Sequence, residues 1–338
     1  MKKTLILLSV ILLSTNLFAQ KGKVTSALNF KDTGKLDKAL EAIEEAIDAS
    51  NPKTKSSITW PRTWEVRGEV FQAIYQSKDK AVKNLSKDPL TEAVNSYKKA
   101  LELDDKNRFG KSVKIKLTLL INDLTNQAVE AFNAEDFKKA LLSFEQILEL
   151  QELPVMKVDN PGVDTVIIYN AGVAAFYAQN YNKAIGYYTE AAKHGYNEGR
   201  TYQGLSKAYL ESKDTTKAIT VLQEGFQKYP EDNGVLVEMI NIYLTSKKTD
   251  EAMKYLSLAI EQDAAGFGEF GHLVGLDRQR RLAQITHATL PDHLALLFFI
   301  LAFQPVDRTT RQIDADRHLR QQDRRVLGRR QRDEADHQ

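Results

Sequence analysis

The chain has 338 residues, a formal net charge of +2 and no cysteine. The absence of cysteine excludes disulfides, thiolate zinc sites, iron–sulfur clusters and cysteine nucleophiles, and it is compatible with an oxidising compartment. A charge so close to neutral gives the chain as a whole no electrostatic preference for nucleic acid or acidic lipid.

The segment 1–19 has the features of a signal peptide. Lys2 and Lys3 precede an uncharged, nearly unbroken apolar run from Thr4 to Phe18, and Ala19 is a small residue suited to the position before a cleavage site. The run is shorter than the roughly 20 residues that span a bilayer. We therefore predict a cleaved signal peptide at 1–19, a mature chain that is periplasmic or secreted, and no transmembrane segment after cleavage.

A repeated helical pattern follows, with a period of about 34 residues. Each unit has an alanine, a large apolar residue four places later, and a third residue seven places later that is small in five of six cases. Positions i, i+4 and i+7 share one helix face, so the pattern predicts closely packed helix pairs. The six alanines are Ala39, Ala93, Ala140, Ala184, Ala218 and Ala252, and the last three are evenly spaced.

The segment Tyr169-Asn170-Ala171-Gly172, continued by Tyr181-Asn182-Lys183-Ala184, together with Pro230, resembles the tetratricopeptide repeat, a helix–turn–helix unit of about 34 residues. The resemblance implies an all-α, right-handed superhelical solenoid of about six repeats over 20–264, with an irregular C-terminal tail. The repeats are predicted at 20–53, 61–105, 121–154, 165–198, 199–232 and 233–265.

Three interruptions of the period modify this expectation. Extra residues at about 72–89 predict either longer helices or a projecting loop in the second repeat. Residues 106–120 are expected to lengthen the first helix of the third repeat. Residues 153–164, with two prolines and a glycine, read as an ordered loop.

The resemblance also implies a binding surface, because the first helices of such an array line its concave side. Aromatic rings beside an amide and two cations suit an extended peptide or a docked helix, although Phe176 and Tyr177 are also suited to packing between helices. The predicted partner-binding residues are Tyr169, Asn170, Val173, Phe176, Tyr177, Arg200, Gln203 and Lys207.

Catalytic and cofactor motifs are weak. Gly266 to Gly271 has the glycine spacing of a dinucleotide-binding loop but follows a helical repeat rather than a strand. Asp314, Asp316 and His318 do not share one helix face, because only the outer pair has helical spacing. We therefore predict no catalytic residue, no cofactor and no metal site.

The tail at 265–338 differs from the preceding sequence. All 31 lysines lie at or before Lys254, whereas 12 of the 16 arginines follow it. Because a change of reading frame alters residue usage abruptly, we predict that the tail is a frameshifted or fused sequence. The competing interpretation is a genuine helical cap built from Leu294 to Phe303. The tail's arginines alternate with aspartates, so nucleic acid is not an expected partner.

Taken together, the sequence favours a protein–protein interaction scaffold of the cell envelope that is not an enzyme. It binds a peptide or protein whose identity the sequence does not specify. Two alternatives stay open: an enzyme subunit with its chemistry in the tail, and an assembly factor that oligomerises through the open end of the array.

Overall fold

The computed structural model describes residues 21–157 and 162–265. The predicted signal peptide and the tail motifs from Gly266 onward lie outside these residues. Within them every regular element is helical and there is no strand, which confirms the predicted all-α fold. The described residues up to Gln262 belong to one compact unit, and the last helix continues to Ala265.

Fifteen α-helices and one 3₁₀ turn make up the described part of the chain. The first helix, α1, covers 21–32. The others are α2 (Leu36–Ile47), a 3₁₀ turn (Pro52–Thr54), α3 (Lys55–Ile58), α4 (Pro61–Gln76), α5 (Lys80–Lys83), α6 (Pro89–Glu102), α7 (Gly110–Asn133), α8 (Phe137–Gln151), α9 (Pro154–Lys157), α10 (Thr165–Tyr177), α11 (Tyr181–Lys193), α12 (Glu198–Glu211), α13 (Thr215–Lys228), α14 (Asn233–Thr245) and α15 (Thr249–Ala265).

The longer helices stack as successive pairs. Helix α4 packs on α6, α7 on α8, α10 on α11 and α12 on α13, and each pair also contacts the next. All six alanines of the repeated pattern are fully buried, and the large residues four places after them are also buried. The small side chain lets the neighbouring helix come close while the large one fills the space beside it.

The same turn joins the two helices of five pairs: α1–α2, α7–α8, α10–α11, α12–α13 and α14–α15. The first helix ends with a residue in the left-handed conformation, such as Gly34 (φ 75°), Glu135 (φ 60°) or Gln179 (φ 60°). The next amide donates back across the turn to a carbonyl five residues earlier, as from Asp136 to Ala131 at 2.8 Å. In three of these turns an Asp or Asn side chain then accepts from the first turn of the second helix, as Asp136 does from Lys139. This arrangement fixes an antiparallel pair.

The three interruptions take different forms. In the second pair, α4 runs to Gln76 and is followed by a connection at 77–88 that contains only α5. Helix α7 has 24 residues, so the first helix of the third pair is longer, as predicted. In the segment 153–164, predicted as an ordered loop, the described part contains the short helix α9, and Val155 and Met156 pack against the core.

Candidate partner-binding surface

The eight predicted binding residues lie on two neighbouring first helices that contact each other. Helix α10 carries Tyr169, Asn170, Val173, Phe176 and Tyr177, and helix α12 carries Arg200, Gln203 and Lys207. The structure therefore places them on successive helix pairs, but burial divides them into two groups with different surroundings.

The α10 residues serve mainly in packing. Tyr169 is half-buried, and its ring centroid lies 5.6 Å from that of Tyr188 and 5.4 Å from that of Tyr196. Asn170 and Val173 are also half-buried, and Val173 packs against the core. Each of these side chains presents only part of its surface to solvent.

Phe176 and Tyr177 belong to a cluster of five aromatic rings that we call the turn cluster: Phe132, Phe137, Phe176, Tyr177 and Tyr181. The rings of Phe137 and Tyr177 stack with centroids 5.1 Å apart, and the other contacts are edge-to-face. Phe176 is half-buried and suited to packing between helices, while Tyr177 keeps 37% of its surface exposed. The turn cluster joins the turn of the α7–α8 pair to that of the α10–α11 pair.

The α12 residues border an open cleft. Arg200 and Gln203 line a cavity of about 680 Å³ between the start of α12 and the connection that leads into α14. The Gln203 side-chain amide donates to Asp232 Oδ1 at 3.3 Å. Lys207 lies farther along α12, where its ammonium pairs with Glu238 of α14 at 2.8 Å. The first helices of the last two pairs are thus joined by polar side chains rather than by apolar packing alone.

Two glycines allow the walls of this cleft to approach each other. A Cβ atom added to Gly199 would lie 2.2 Å from Asp232 Oδ2, and one added to Gly234 would lie 2.5 Å from Gln203 Nε2. Any other residue at Gly199 would displace Asp232, which accepts from the Val235 amide and so begins α14. The close approach of the two walls therefore depends on the absence of a side chain at Gly199 and Gly234.

Charges of both signs surround the cleft. Lys228 at its edge donates to Tyr202 Oη at 2.7 Å and pairs with Glu224 at 2.9 Å, and these contacts raise the pKa of the Lys228 ammonium. Burial raises the pKa of the Tyr202 hydroxyl, so both groups keep their protons at neutral pH. The remaining charged residues of the lining are Glu198, Arg200, Glu231 and Asp232. Such a lining suits a polar peptide better than a simple anion or cation.

Sequence reasoning missed the part of this cleft that comes from 229–234. Pro230 signalled only the end of a repeat and does not mark where two helix pairs meet in space. In the described part of the chain, no group of three His, Asp or Glu side chains is arranged to hold a metal ion.

A second charged cluster lies in the first half of the chain, across α1, α4 and α7. The carboxylate of Glu65 is fully buried and pairs with Arg62 at 2.6 Å and Lys116 at 2.7 Å. Its neighbour Glu69 pairs with Lys31 at 2.7 Å and Lys116 at 3.1 Å. We call these five side chains the buried ion cluster. Because its charges are compensated internally, it joins three first helices rather than forming a ligand site.

Burial alone would raise the pKa of the Glu65 carboxyl. Hydrogen bonds from Lys116, Ser112 and Arg62 outweigh burial and hold this pKa below its ordinary value. Glu65 is therefore ionised at neutral pH, and its charge contributes to the folded state.

Two models of the tetratricopeptide repeat match the chain, one over residues 169–233 and the other over 209–269. The matched region contains the helix pairs from α10 to α15, whose turns and buried alanines were described above. Residues 169–269 of this chain are tetratricopeptide repeats. Arg200 and Gln203 lie within the match over 169–233. Residues 229–233 of the opposite wall lie within both matches. Repeats of this kind stack into extended surfaces for protein partners, so the family gives the chain a protein–protein interaction role.

Several solved structures are similar to this tetratricopeptide-repeat protein. MamA from Desulfovibrio magneticus RS-1 is 16% identical, with a TM-score of 0.37, and the match covers 60% of this chain and 98% of the MamA chain. PilW, described as a widely conserved type IV pilus biogenesis factor, is 14% identical, with coverages of 76% and 99% and a TM-score of 0.34. PilF of Pseudomonas aeruginosa is 12% identical, with coverages of 80% and 99% and a TM-score of 0.31.

These structural likenesses are too distant to transfer a function. A comparison with curated protein sequences finds no match. Within the described residues, no helix of the repeat protein has the length and apolarity needed to cross a membrane.

Proposed function

We propose that this tetratricopeptide-repeat protein is a scaffold of the cell envelope that binds a peptide segment of a partner protein along α10, α12 and α14. The cleft beside Arg200 and Gln203 carries the proposal, because it provides an open, polar space between the start of α12 and the connection that leads into α14. Residues predicted from the resemblance border it, and its charges of both signs suit a peptide that also bears mixed charges.

The partner is expected to lie along the surface rather than inside a closed pocket. Tyr177 and Lys207 are exposed in the second halves of their helices, whereas Arg200 is exposed near the start of α12. An extended segment that contacts all three would cross successive helices, which is how a stacked array presents its side chains. Tyr and Arg also contribute strongly to many protein interfaces.

The envelope location rests on the sequence of residues 1–19. An apolar run preceded by two lysines and followed by Ala19 is typical of an export signal. Determining the N-terminus of the protein recovered from the envelope tests this part of the proposal. Recovery of a chain that begins at Gln20 supports it, whereas a cytoplasmic chain that still begins at Met1 contradicts it.

The binding surface is tested by a double substitution, Arg200→Ala with Lys207→Ala, followed by affinity capture from envelope extracts. We expect the recovered amount of a reproducible partner to fall at least tenfold, because both cations border the proposed peptide path. The matched control is Lys193→Ala with Lys217→Ala, which removes two exposed cations from the second helices α11 and α13. The control is expected to retain capture.

Equal capture by both double variants would remove α12 from the binding surface. Thermal unfolding monitored by circular dichroism accompanies the assay, because exposed substitutions usually change stability by less than about 0.5 kcal/mol. A large fall in melting temperature for the α12 variant would assign Arg200 and Lys207 a structural role instead.

A further inference from the structure

The connection at 77–88 is an insertion of unusual composition within the α4–α6 pair. Four lysines, Lys78, Lys80, Lys83 and Lys87, occupy ten consecutive positions, and all four side chains are exposed. Leu85 lies among them and keeps 37% of its surface exposed. Val82, in contrast, packs against the core and holds the insertion to the helix pair.

The lysines of the insertion differ from three lysines that join neighbouring helices. Elsewhere Lys98, Lys116 and Lys183 each reach a glutamate on a neighbouring helix. Within the described residues, no ion pair involves any of the four lysines of the insertion. Two acids, Asp79 and Asp88, accompany the four lysines, so the insertion has a net charge of +2. Asp79 uses its carboxylate to accept from the Ala81 amide at 2.8 Å and so begins α5.

The charge of the insertion is also local. Residues 20–263 carry 33 lysines and arginines against 35 aspartates and glutamates, so the repeat region as a whole is slightly acidic. Because salt screens charges beyond about 8 Å at physiological ionic strength, a partner close to the insertion encounters its local charge of +2 rather than the average of the region.

The residue types select among anionic partners. Specific recognition of a carboxylate or a single phosphate favours the planar guanidinium of arginine, and the insertion has none. Single-stranded nucleic acid is held by stacking on aromatic rings, and residues 77–88 contain no aromatic residue. Flexible lysines around an exposed leucine fit a surface of many phosphates above an apolar layer, which is the interface of an anionic membrane.

We propose that the insertion at 77–88 docks the protein on an anionic lipid surface, with the four lysines contacting headgroups and Leu85 entering the interface. This binding is independent of the partner cleft, because the insertion belongs to the α4–α6 pair and the cleft to α12 and α14. The docked repeats would remain outside the bilayer and keep their partner surface accessible.

The test is co-sedimentation of the chain from Gln20, which keeps every residue that the structure describes, with vesicles that mix phosphatidylcholine and phosphatidylglycerol in a two-to-one ratio. Binding is expected to exceed that to pure phosphatidylcholine vesicles and to weaken as salt rises. Replacing the four lysines of the insertion with glutamine should reduce binding at least tenfold at low salt, since each lysine near an anionic surface contributes up to about fivefold. Leu85→Ser should reduce it about threefold, because a partly exposed leucine loses part of its apolar contact.

The matched control replaces Lys53, Lys55, Lys106 and Lys157 with glutamine. These exposed lysines lie in connections at the opposite ends of the helices, and α4 alone separates Lys53 and Lys55 from the insertion by about 24 Å. The control changes the net charge by the same amount and should retain vesicle binding.

Equal binding to neutral and anionic vesicles overturns the proposal, as does an equal loss in the control and insertion variants. Loss of partner capture in the insertion variant, with vesicle binding unchanged, would also overturn it and assign the lysines to an acidic protein instead. Circular dichroism of the insertion variant is expected to match the unmodified chain, since none of the replaced side chains is buried.

Discussion

Replacing Gly68 with alanine will destabilise the α4–α6 pair even though alanine is the better helix former. Gly68 faces the ring of Tyr97, and a Cβ atom added there would lie 2.5 Å from one ring carbon and 2.7 Å from two others. The ring cannot move aside easily, because Tyr97 is fully buried and its hydroxyl donates to Gln72 at 3.1 Å. The added methyl group must therefore displace either the ring or a helix.

Two effects of opposite sign set the magnitude. Overpacking a well-filled core costs about 1–3 kcal/mol, and contact with three ring atoms places Gly68→Ala near the upper value. Removing a glycine from a helix interior contributes about 1 kcal/mol in the other direction. The net loss of stability is therefore about 2 kcal/mol, which lowers the melting temperature by roughly 4–8 °C for a unit of this size.

Gly186 in α11 provides the matched control, because a Cβ atom added there meets nothing within 4 Å. Gly186→Ala keeps only the helix-propensity effect and should raise the melting temperature by roughly 2–4 °C. Thermal unfolding followed by far-ultraviolet circular dichroism compares the two variants. A Gly68→Ala variant that melts at or above the temperature of the unmodified chain would refute the packing argument.

Four further predictions follow from the structure and the sequence. Glu65→Gln should destabilise the protein by about 2–3 kcal/mol in urea unfolding, because it leaves Arg62 and Lys116 without their buried carboxylate. The control Glu149→Gln affects an exposed pair with Lys98 and should lower the free energy of unfolding by less than about 1 kcal/mol. The pKa of Glu65 is lowered in the folded state, so the Glu65 carboxylate contributes fully to stability above the ordinary glutamate pKa of about 4.3. This contribution is lost as the pH falls below that value. The unmodified chain should therefore lose more stability than Glu65→Gln between about pH 4.5 and 3. The far-ultraviolet spectrum should be helical and unchanged by a chelator, and loss of helix on chelation would reveal a metal requirement. Reading the encoding nucleic acid in the other two frames should recover lysine-rich repeats after about residue 265; if neither frame continues the pattern and the tail resists limited proteolysis, the frameshift interpretation is wrong.

The fold could be predicted because one constraint recurs at a fixed period. A small residue such as Ala184 and a large one such as Tyr188 must alternate on the helix face that packs, whatever the rest of the repeat contains. The turns were less visible in the sequence. Glu135, Gln179 and Lys213 adopt the left-handed conformation without being glycine, because the backbone bonds across the turn and the neighbouring cap stabilise it.

The candidate site was only partly predictable. The resemblance placed Arg200 and Gln203 on a first helix, but it contained no information about the connection that forms the opposite wall. Gly199 and Gly234 appear in the sequence as ordinary helix-start residues. Their importance is visible only in the structure, where an added Cβ atom would lie 2.2 Å from Asp232 Oδ2 and 2.5 Å from Gln203 Nε2, respectively. The extra residues at about 72–89 were predicted as longer helices or a projecting loop, and the exposure of the lysines at 77–88 required the structure.

Charged residues on first helices have two separate roles in this protein, and burial decides between them. The carboxylate of Glu65 has no exposed surface and meets cations at 2.6 and 2.7 Å, so an approaching partner would have to break these pairs before gaining any contact. Lys207 is paired with Glu238, but half of its side chain remains exposed, so a partner can contact it while that pair persists.

A buried charge that is already paired stabilises the stack and contributes nothing to recognition, whereas an exposed one contributes little to stability and remains available for binding. Substitutions at Glu65 should consequently lower the melting temperature without changing the affinity of the folded protein, and substitutions at Lys207 should do the reverse. Partner binding measured well below the melting temperature of each variant tests this separation, and an affinity loss in folded Glu65→Gln would contradict it.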